Sequence, residues 1–250
     1  VSITDINGGN TLVGDTLTGT YLYSDADNDA EGTTTFRWLR DGSPIAGAVT
    51  TSYTLVADDS GATITLEVTP VAATGTTPGS AVISTGIVVT NSAPTASSLS
   101  ITDNNGGSVL VGDTLTGGYT FNDVDNDLEG ASTYRWLRNG AAIAGAASIN
   151  YTLVAADTGA AISFEVTPVA ASGIPTGNAA TSNAINVVNS APTASAVGIT
   201  DSNGSDALVG DTLTGTYTYS DADNDPQGTS TFRGLRDGTA IVGATAISYT

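Results

Sequence analysis

Three acidic stretches hold the residues of this chain whose type and spacing could do chemistry: YSDADND at 23–29, FNDVDND at 121–127 and YSDADND at 219–225. Each sets Asp on alternate residues: Asp25, Asp27 and Asp29; Asp123, Asp125 and Asp127; Asp221, Asp223 and Asp225. Glu31 and Glu129 follow the first two sets, and Gln227 follows the third. Alternate carboxylates on a turning loop can aim several hard oxygens at one point, and calcium takes six to eight such ligands in irregular geometry. The bland alternative is that Asp and Asn merely close a turn, since their side chains bond their own backbone two residues on. Three copies that keep all three Asp positions favour a cation site, with Glu31 and Glu129 peripheral. An EF-hand is excluded, because the bidentate Glu at position twelve is missing.

Composition removes most other chemistry. The chain has 25 acidic residues against six basic ones, a net charge of −19, and no Cys, His or Met. All six bases are Arg. Such a surface repels nucleic acid and anionic lipid and attracts cations. Without His, Cys or Lys there is no Ser–His triad, Cys–His pair, usual zinc site or Walker lysine. Only carboxylate chemistry of the glycosidase kind remains, and the four Glu residues fall on loops or outward strand positions. The expectation is therefore not an enzyme. No apolar run approaches the ~20 residues that span a bilayer, so no membrane insertion is expected. The first residues show no signal-peptide pattern, and the sequence reads as a piece of something longer.

The elements that must carry these loops follow from repetition. VGDTLTG recurs at 13, 111 and 209, a step of 98 residues each time, and EVTPVAA and NSAPTAS recur at the same step. The copies run 1–98, 99–196 and 197–250, the last stopping just past its halfway point. A unit of ~100 residues can bury its own core, unlike solenoid units of 20–50 residues. Period-2 alternation in the first copy predicts strands near 1–5, 12–23, 33–40, 44–47, 51–56, 62–73 and 81–90. Ile64, Leu66 and Val68 form one inward row, and Val89 and Val187 point inward while Val88 and Asn186 point out. Asp41-Gly42, Asn139-Gly140 and Asp237-Gly238 signal two-residue hairpins, because both residue types tolerate positive φ. The fold expected is all-β: tandem immunoglobulin-like β-sandwich domains of about seven strands each.

Phe36-x-Trp38 and Tyr134-x-Trp136 resemble the third strand of an immunoglobulin-like domain with its buried Trp. LVADDSGATITLEV and LVAADTGAAISFEV resemble its corner and sixth strand. With the cysteine-free, Thr/Ala/Gly/Asp-rich tandem pattern, the chain resembles the immunoglobulin-like or cadherin-like repeats of giant bacterial surface proteins of the biofilm-adhesin type. It departs from that pattern at Gly234, which stands where the other copies have Trp. Losing a large buried aromatic costs ~3–5 kcal/mol.

In that strand order the Asp-rich loop joins the second and third strands, at the end where the chain comes in. Asp5, Asp15, Asp58 and Asp59 fall near the opposite end, which leads out through Asn91-Ser92-Ala93-Pro94. Stacked copies would set two acidic ends together, a repulsion that salt screens only over ~8 Å and that a divalent cation would convert to attraction. The cadherin resemblance implies such a calcium site between repeats, stiffening rather than catalytic. Asp59 and Asp157 are expected to hold the corner by hydrogen bonds, with ligation second. Asp5, Asp103 and Asp201 are equally turn caps or ligands. Asn150-Tyr151-Thr152 and Asn203-Gly204-Ser205 fit the short glycosylation pattern, which chance also supplies.

The function expected is the extender region of a large bacterial surface adhesin, extracellular, stiffened by calcium. Its partners would be neighbouring repeats of the same chain, with other copies of itself in a filament or matrix as a further partner. The alternative is a structural subunit of an extracellular filament, sheath or surface layer. A third class is a ligand-binding module using the loop around Asp123 to Glu129.

Overall fold

Successive side chains of an extended chain point to opposite faces, so period-2 alternation buries every second residue. Thr63–Thr69 obeys this: Ile64, Leu66 and Val68 are buried and the residues between them are not. A computed structural model of the chain describes residues 1–204 and 206–250, and it is all-β, with tandem β-sandwich domains. Ser205, the last residue of the second glycosylation pattern, lies outside the described residues.

The strands of the first copy are β1 (Ser2–Asp5), β2 (Thr16–Thr20), β3 (Thr35–Arg40), β4 (Ser43–Pro44), β5 (Ser52–Thr54), β6 (Thr63–Thr69), β7 (Val82–Ile83) and β8 (Ile87–Val88). In the second they are β9 (Thr95–Asp103), β10 (Thr114–Asn122), β11 (Thr133–Arg138), β12 (Ala141–Ala142), β13 (Asn150–Thr152), β14 (Ala161–Thr167), β15 (Ala180–Thr181) and β16 (Ile185–Asn186). The third contributes β17 (Thr193–Asp201), β18 (Leu213–Ser220), β19 (Leu235–Arg236), β20 (Thr239–Ala240) and β21 (Ser248–Tyr249). By compactness the chain divides into two units. One joins Val1–Leu99 with Tyr119–Tyr134 and Glu165–Thr181; the other joins Ser100–Gly118 with Arg135–Phe164 and Ser182–Thr250.

In the first unit, β1-β2-β5 form one sheet, and β4-β3-β6-β7 form the other, with β8 also on β6. Leu17 from the first sheet packs with Trp38, Ile64, Leu66 and Val68 from the second, and Val89 closes the cluster. The two sheets approach so closely at Gly19 that a Cβ there would lie 2.0 Å from Leu66 Cδ2. In the second unit, Trp136, Phe164, Leu115 and Ile162 are fully buried. Each Trp ring donates its indole N–H to a carbonyl, Thr50 or Ser148, at 2.9 Å. A buried indole is thereby satisfied.

The three Asp/Asn-Gly hairpins have the positive φ pairs they require, 46° and 79°, 50° and 81°, 50° and 77°. Several strands are shorter than expected, and two of the differences have a visible cause. Of the 12–23 stretch only Thr16–Thr20 is strand, with Leu12 in an isolated bridge to Thr90, because Asp15 accepts the N–H of Leu12 and closes a turn in front of β2. The 81–90 stretch is split, because Ser84 turns its hydroxyl into the ladder, where Leu66 N–H donates to it at 3.0 Å.

Candidate functional site

The Asp-rich loops are built from their first Asp. Asp25 Oδ1 accepts the N–H groups of Asp27 (2.9 Å) and Asp29 (3.2 Å). Asp123 does the same for Asp125 and Asp127, and Asp221 for Asp223 and Asp225. Asn28, Asn126 and Asn224 take φ of 61–63° between the later Asp residues. That left-handed region is one Asn tolerates better than most. One oxygen of the first Asp of each triplet is therefore committed to the turn.

The middle and last Asp reach outward, and what they meet differs between copies. Asp125 Oδ2 accepts the backbone N–H of Ser92 at 2.6 Å, and Asp127 Oδ2 accepts Asn91 Nδ2 at 2.7 Å. Asp223 Oδ2 accepts the N–H and the hydroxyl of Ser190, both at 2.6 Å, and Asp225 Oδ2 accepts Asn189 Nδ2 at 2.9 Å. The Asn-Ser of each NSAPTAS linker is thus seated on the acidic loop that follows it. Asp125 and Asp223 are each 8% exposed, whereas Asp27 is exposed. The heptapeptides at 23–29 and 219–225 are identical, so the linker, not the loop's own sequence, makes the difference.

Other donors complete the clasp. The Asp29 carboxylate accepts Thr74 Oγ1 at 2.5 Å, and Ser172 donates to Asp127 in the same way one repeat on. Asn91 also donates to Ser60 Oγ at 3.2 Å, and its Oδ1 accepts Ile174 N–H at 2.6 Å. Thr158, the counterpart of Ser60, donates directly to Asp223 Oδ1 at 2.6 Å. Hydrogen bonds to the charged form hold a carboxyl below its ordinary value. Asp127 is lowered by Ser172 and then Asn91, and Asp223 by Ser190 and then Thr158.

Not every oxygen is satisfied. At the first linker, Asp123 Oδ2, Asp125 Oδ1 and Ser92 Oγ are buried without a hydrogen-bond partner. Asp5, Asp103 and Asp201 each cap a turn through Oδ1, accepting the N–H two residues on, and leave Oδ2 buried and unpartnered. Among the described residues, no three acidic side chains gather closely enough to hold a metal ion by themselves.

Glu31 and Glu129 point to their own domain rather than to the Asp triplets. Glu31 Oε1 accepts Tyr21 OH (2.7 Å) and Thr34 Oγ1 (2.6 Å), and the Thr34 bond, then the Tyr21 bond, lowers its pKa. Glu129 accepts Tyr119 OH and Ser132 Oγ, and Gln227 makes the neutral equivalent with Tyr217 and Ser230. Asp59 and Asp157 are fully buried at the corner, each in a short 3-10 turn. Asp59 Oδ1 accepts Arg40 Nε at 2.7 Å, while Oδ2 accepts Tyr53 OH and Val56 N–H, both at 2.8 Å. Asp157 repeats the pattern with Arg138, Tyr151 and Val154. Burial first, then the bond to Asp59, pushes the Tyr53 phenol up to about 12. Both oxygens of each corner Asp are taken, and what the corner delivers is the next residue, Ser60 or Thr158, to the linker or loop beyond it.

Sequence reasoning pointed to acids meeting acids here. The groups that meet the loops are neutral donors: Asn91, Ser92, Asn189, Ser190, Thr158 and Ser172. A signal for four of these six was present, since NS opens the repeated NSAPTAS at the same step as the acidic loops.

No family model matches the chain, and no curated protein does. Among solved structures, it is similar to the three N-terminal domains of the highly immunogenic outer capsid protein (Hoc) of bacteriophage RB49. That similarity is 17% identity over 97% of this chain and 81% of that one, with a TM-score of 0.29.

Proposed function

We propose that this chain is a non-catalytic extender region of a large bacterial surface adhesin, in which each acidic loop clasps the linker that leads into it. The observation that carries the reading is the pair of bonds from Asp125 to Ser92 N–H and from Asp223 to Ser190 N–H, the same contact in two successive linkers. A linker with its backbone and its Asn side chain held cannot swivel freely, so the clasp serves projection. The outer faces support the same reading. Ser2 with Thr20, Thr16 with Thr54, and Thr114 with Thr152 bond hydroxyl to hydroxyl across neighbouring strands, giving polar rows suited to contact with water.

Calcium belongs to this proposal at the first linker. Asp123 Oδ2, Asp125 Oδ1 and Ser92 Oγ are hard oxygens with lone pairs to spare, the donor type calcium prefers. Carbonyls and water would complete its shell, and the bound ion would cross-link loop and linker. The second linker fits less well, because Ser190 and Thr158 already occupy both oxygens of Asp223. Small-angle scattering in calcium and in chelator tests the reading, with Asp125→Asn beside the natural chain. A more flexible particle in chelator, and none of this response in the variant, is the expected result. Profiles that coincide under all conditions would remove calcium from the proposal, and a flexible particle even in calcium would remove the extender.

A further inference from the structure

Eight prolines punctuate the chain, and only Pro226 follows an Asp. The bond between Asp225 and Pro226 lies in the third acidic loop, where the other copies have Asp29-Ala30 and Asp127-Leu128. An Asp-Pro bond is unusually open to hydrolysis, for two reasons. The side-chain carboxylate can reach its own main-chain carbonyl carbon and close a five-membered ring. Proline's ring nitrogen carries no hydrogen in the chain; as a tertiary amide it is more basic than other peptide nitrogens and leaves more easily.

Two contacts of the folded loop hold the reacting groups. Tyr219 donates its phenol O–H to the main-chain carbonyl oxygen of Asp225 at 3.0 Å. That oxygen gathers negative charge when its carbon is attacked, and a donor already aimed at it lowers the barrier. Asn189 Nδ2 holds Asp225 Oδ2 at 2.9 Å, which pins the carboxylate and leaves Oδ1 as the attacking oxygen. Fixing a nucleophile beside its target removes the entropy cost of bringing them together. Both contacts have counterparts in the earlier copies: Tyr23 donates to the Asp29 carbonyl at 3.3 Å, and Asn91 holds Asp127 Oδ2 at 2.7 Å. The loop's arrangement is therefore general, and what the third copy adds is the proline. Asp225 and Pro226 are both exposed, so water reaches the bond.

We propose that the bond between Asp225 and Pro226 is a self-cleavage site, at which the third acidic loop breaks the chain without a protease. Asp225 Oδ1 bonds to the residue's own carbonyl carbon. The bond from that carbon to the Pro226 nitrogen breaks, and the nitrogen leaves with a proton from solvent. Water then opens the cyclic anhydride, giving back the side-chain carboxyl and a new terminal carboxyl on Asp225. The net change is hydrolysis of one peptide bond, with water as the co-reactant. Tyr219 is the catalytic residue, and Asn189 positions the carboxylate. The cut falls between β18 and β19, inside the loop that clasps Asn189 and Ser190, an activity the extender reading neither needs nor supplies.

The test incubates the full 250-residue chain at about pH 5, where the fold should be intact, and follows fragments 1–225 and 226–250 by mass spectrometry. A synthetic peptide of residues 217–230 in the same buffer gives the rate of the bare bond. The chain should be cut about tenfold faster than the peptide or more, and Tyr219→Phe should lose that advantage. Amide exchange at Ser190 should be the same in Tyr219→Phe as in the natural chain, which separates a lost donor from a lost fold. Pro226→Ala should stay intact at this bond. So should Asp225→Asn, which keeps an oxygen for Asn189 but removes the nucleophile. A chain cut no faster than the peptide, Tyr219→Phe cut at the natural rate, or cutting that persists in Asp225→Asn would overturn the proposal.

Discussion

Asp27 and Asp125 hold the same place in the same kind of loop, and removing each side chain separates the loop's own needs from those of the linker. Asp125→Ala deletes the acceptor of the Ser92 N–H, a 2.6 Å bond from a side chain only 8% exposed. A hydrogen bond to a charged group contributes ~1.5–3 kcal/mol. Against that stands Asp125 Oδ1, buried without a partner, whose removal relieves part of a desolvation cost. The net local loss is then about 1–2 kcal/mol. Amide exchange at Ser92, measured in chelator so that no cation intervenes, reads that loss directly as a rate increase of about 5- to 30-fold. Asp125→Asn keeps an acceptor without its charge and should fall between. Asp27→Ala should leave Ser92 unchanged, since the groups that hold the first linker, Asp125 and Asp127, belong to the second loop. Exchange at Ser92 that stays within twofold of the natural chain in Asp125→Ala would refute the clasp.

Acid should loosen both linkers. Asp127 and Asp223 have folded pKa values lowered below the ordinary carboxylate value, so the unfolded chain takes up protons first as pH falls. Their contribution is complete above the unfolded value of ~3.9 and is lost as pH drops through the lower folded values. Thermal melts should thus be flat down to about pH 5 and fall steeply below about pH 4, and Asp223→Asn should reduce that slope. Gly19→Ala should destabilise by about 1–3 kcal/mol through overpacking against Leu66. Gly215→Ala, whose nearest neighbour is Ile247 O at 3.3 Å, should melt close to the natural chain; equal losses would refute the sheet-contact argument. Arg40→Ala strands the buried Asp59 carboxylate and should cost about 3–5 kcal/mol in denaturant titration.

How much of this was legible depends on the range over which each contact acts. Hairpins need only φ at two adjacent residues, so Asp41-Gly42 and its two counterparts could be read directly. The inward rows of Thr63–Thr69 need only the pleat, and Trp38 and Trp136 fill the buried position that their resemblance implies. Burial at Asp223 was hidden because its seven-residue context matches that of exposed Asp27. What buries it is Ser190, 33 residues upstream, donating through both its backbone N–H and its hydroxyl, a contact that the loop's own residues do not reveal. Glu31 was read as peripheral to the acidic triplet; the hydroxyls it meets, Tyr21 and Thr34, lie in the same loop between β2 and β3, and Tyr119 with Ser132 and Tyr217 with Ser230 keep the same hydroxyl pair in the other copies.

Those partners explain why the acids can be so many and so lightly paired with bases. A carboxylate needs donors more than it needs opposite charge, and hydroxyls, amides and backbone N–H groups supply them without the desolvation that a buried ion pair demands. The corner Asp59 and Asp157 are instead served by Arg, because they are fully buried and must be fixed for Ser60 and Thr158 to reach forward. The loop acids are reached from outside their own loop, by the linker. Neutral donors suit such a contact: an unclasped loop remains hydrated, and no base is left without its acid if a linker lets go. A cation, where oxygens are left over as at Asp123 and Asp125, would then tighten a contact that already exists rather than create one.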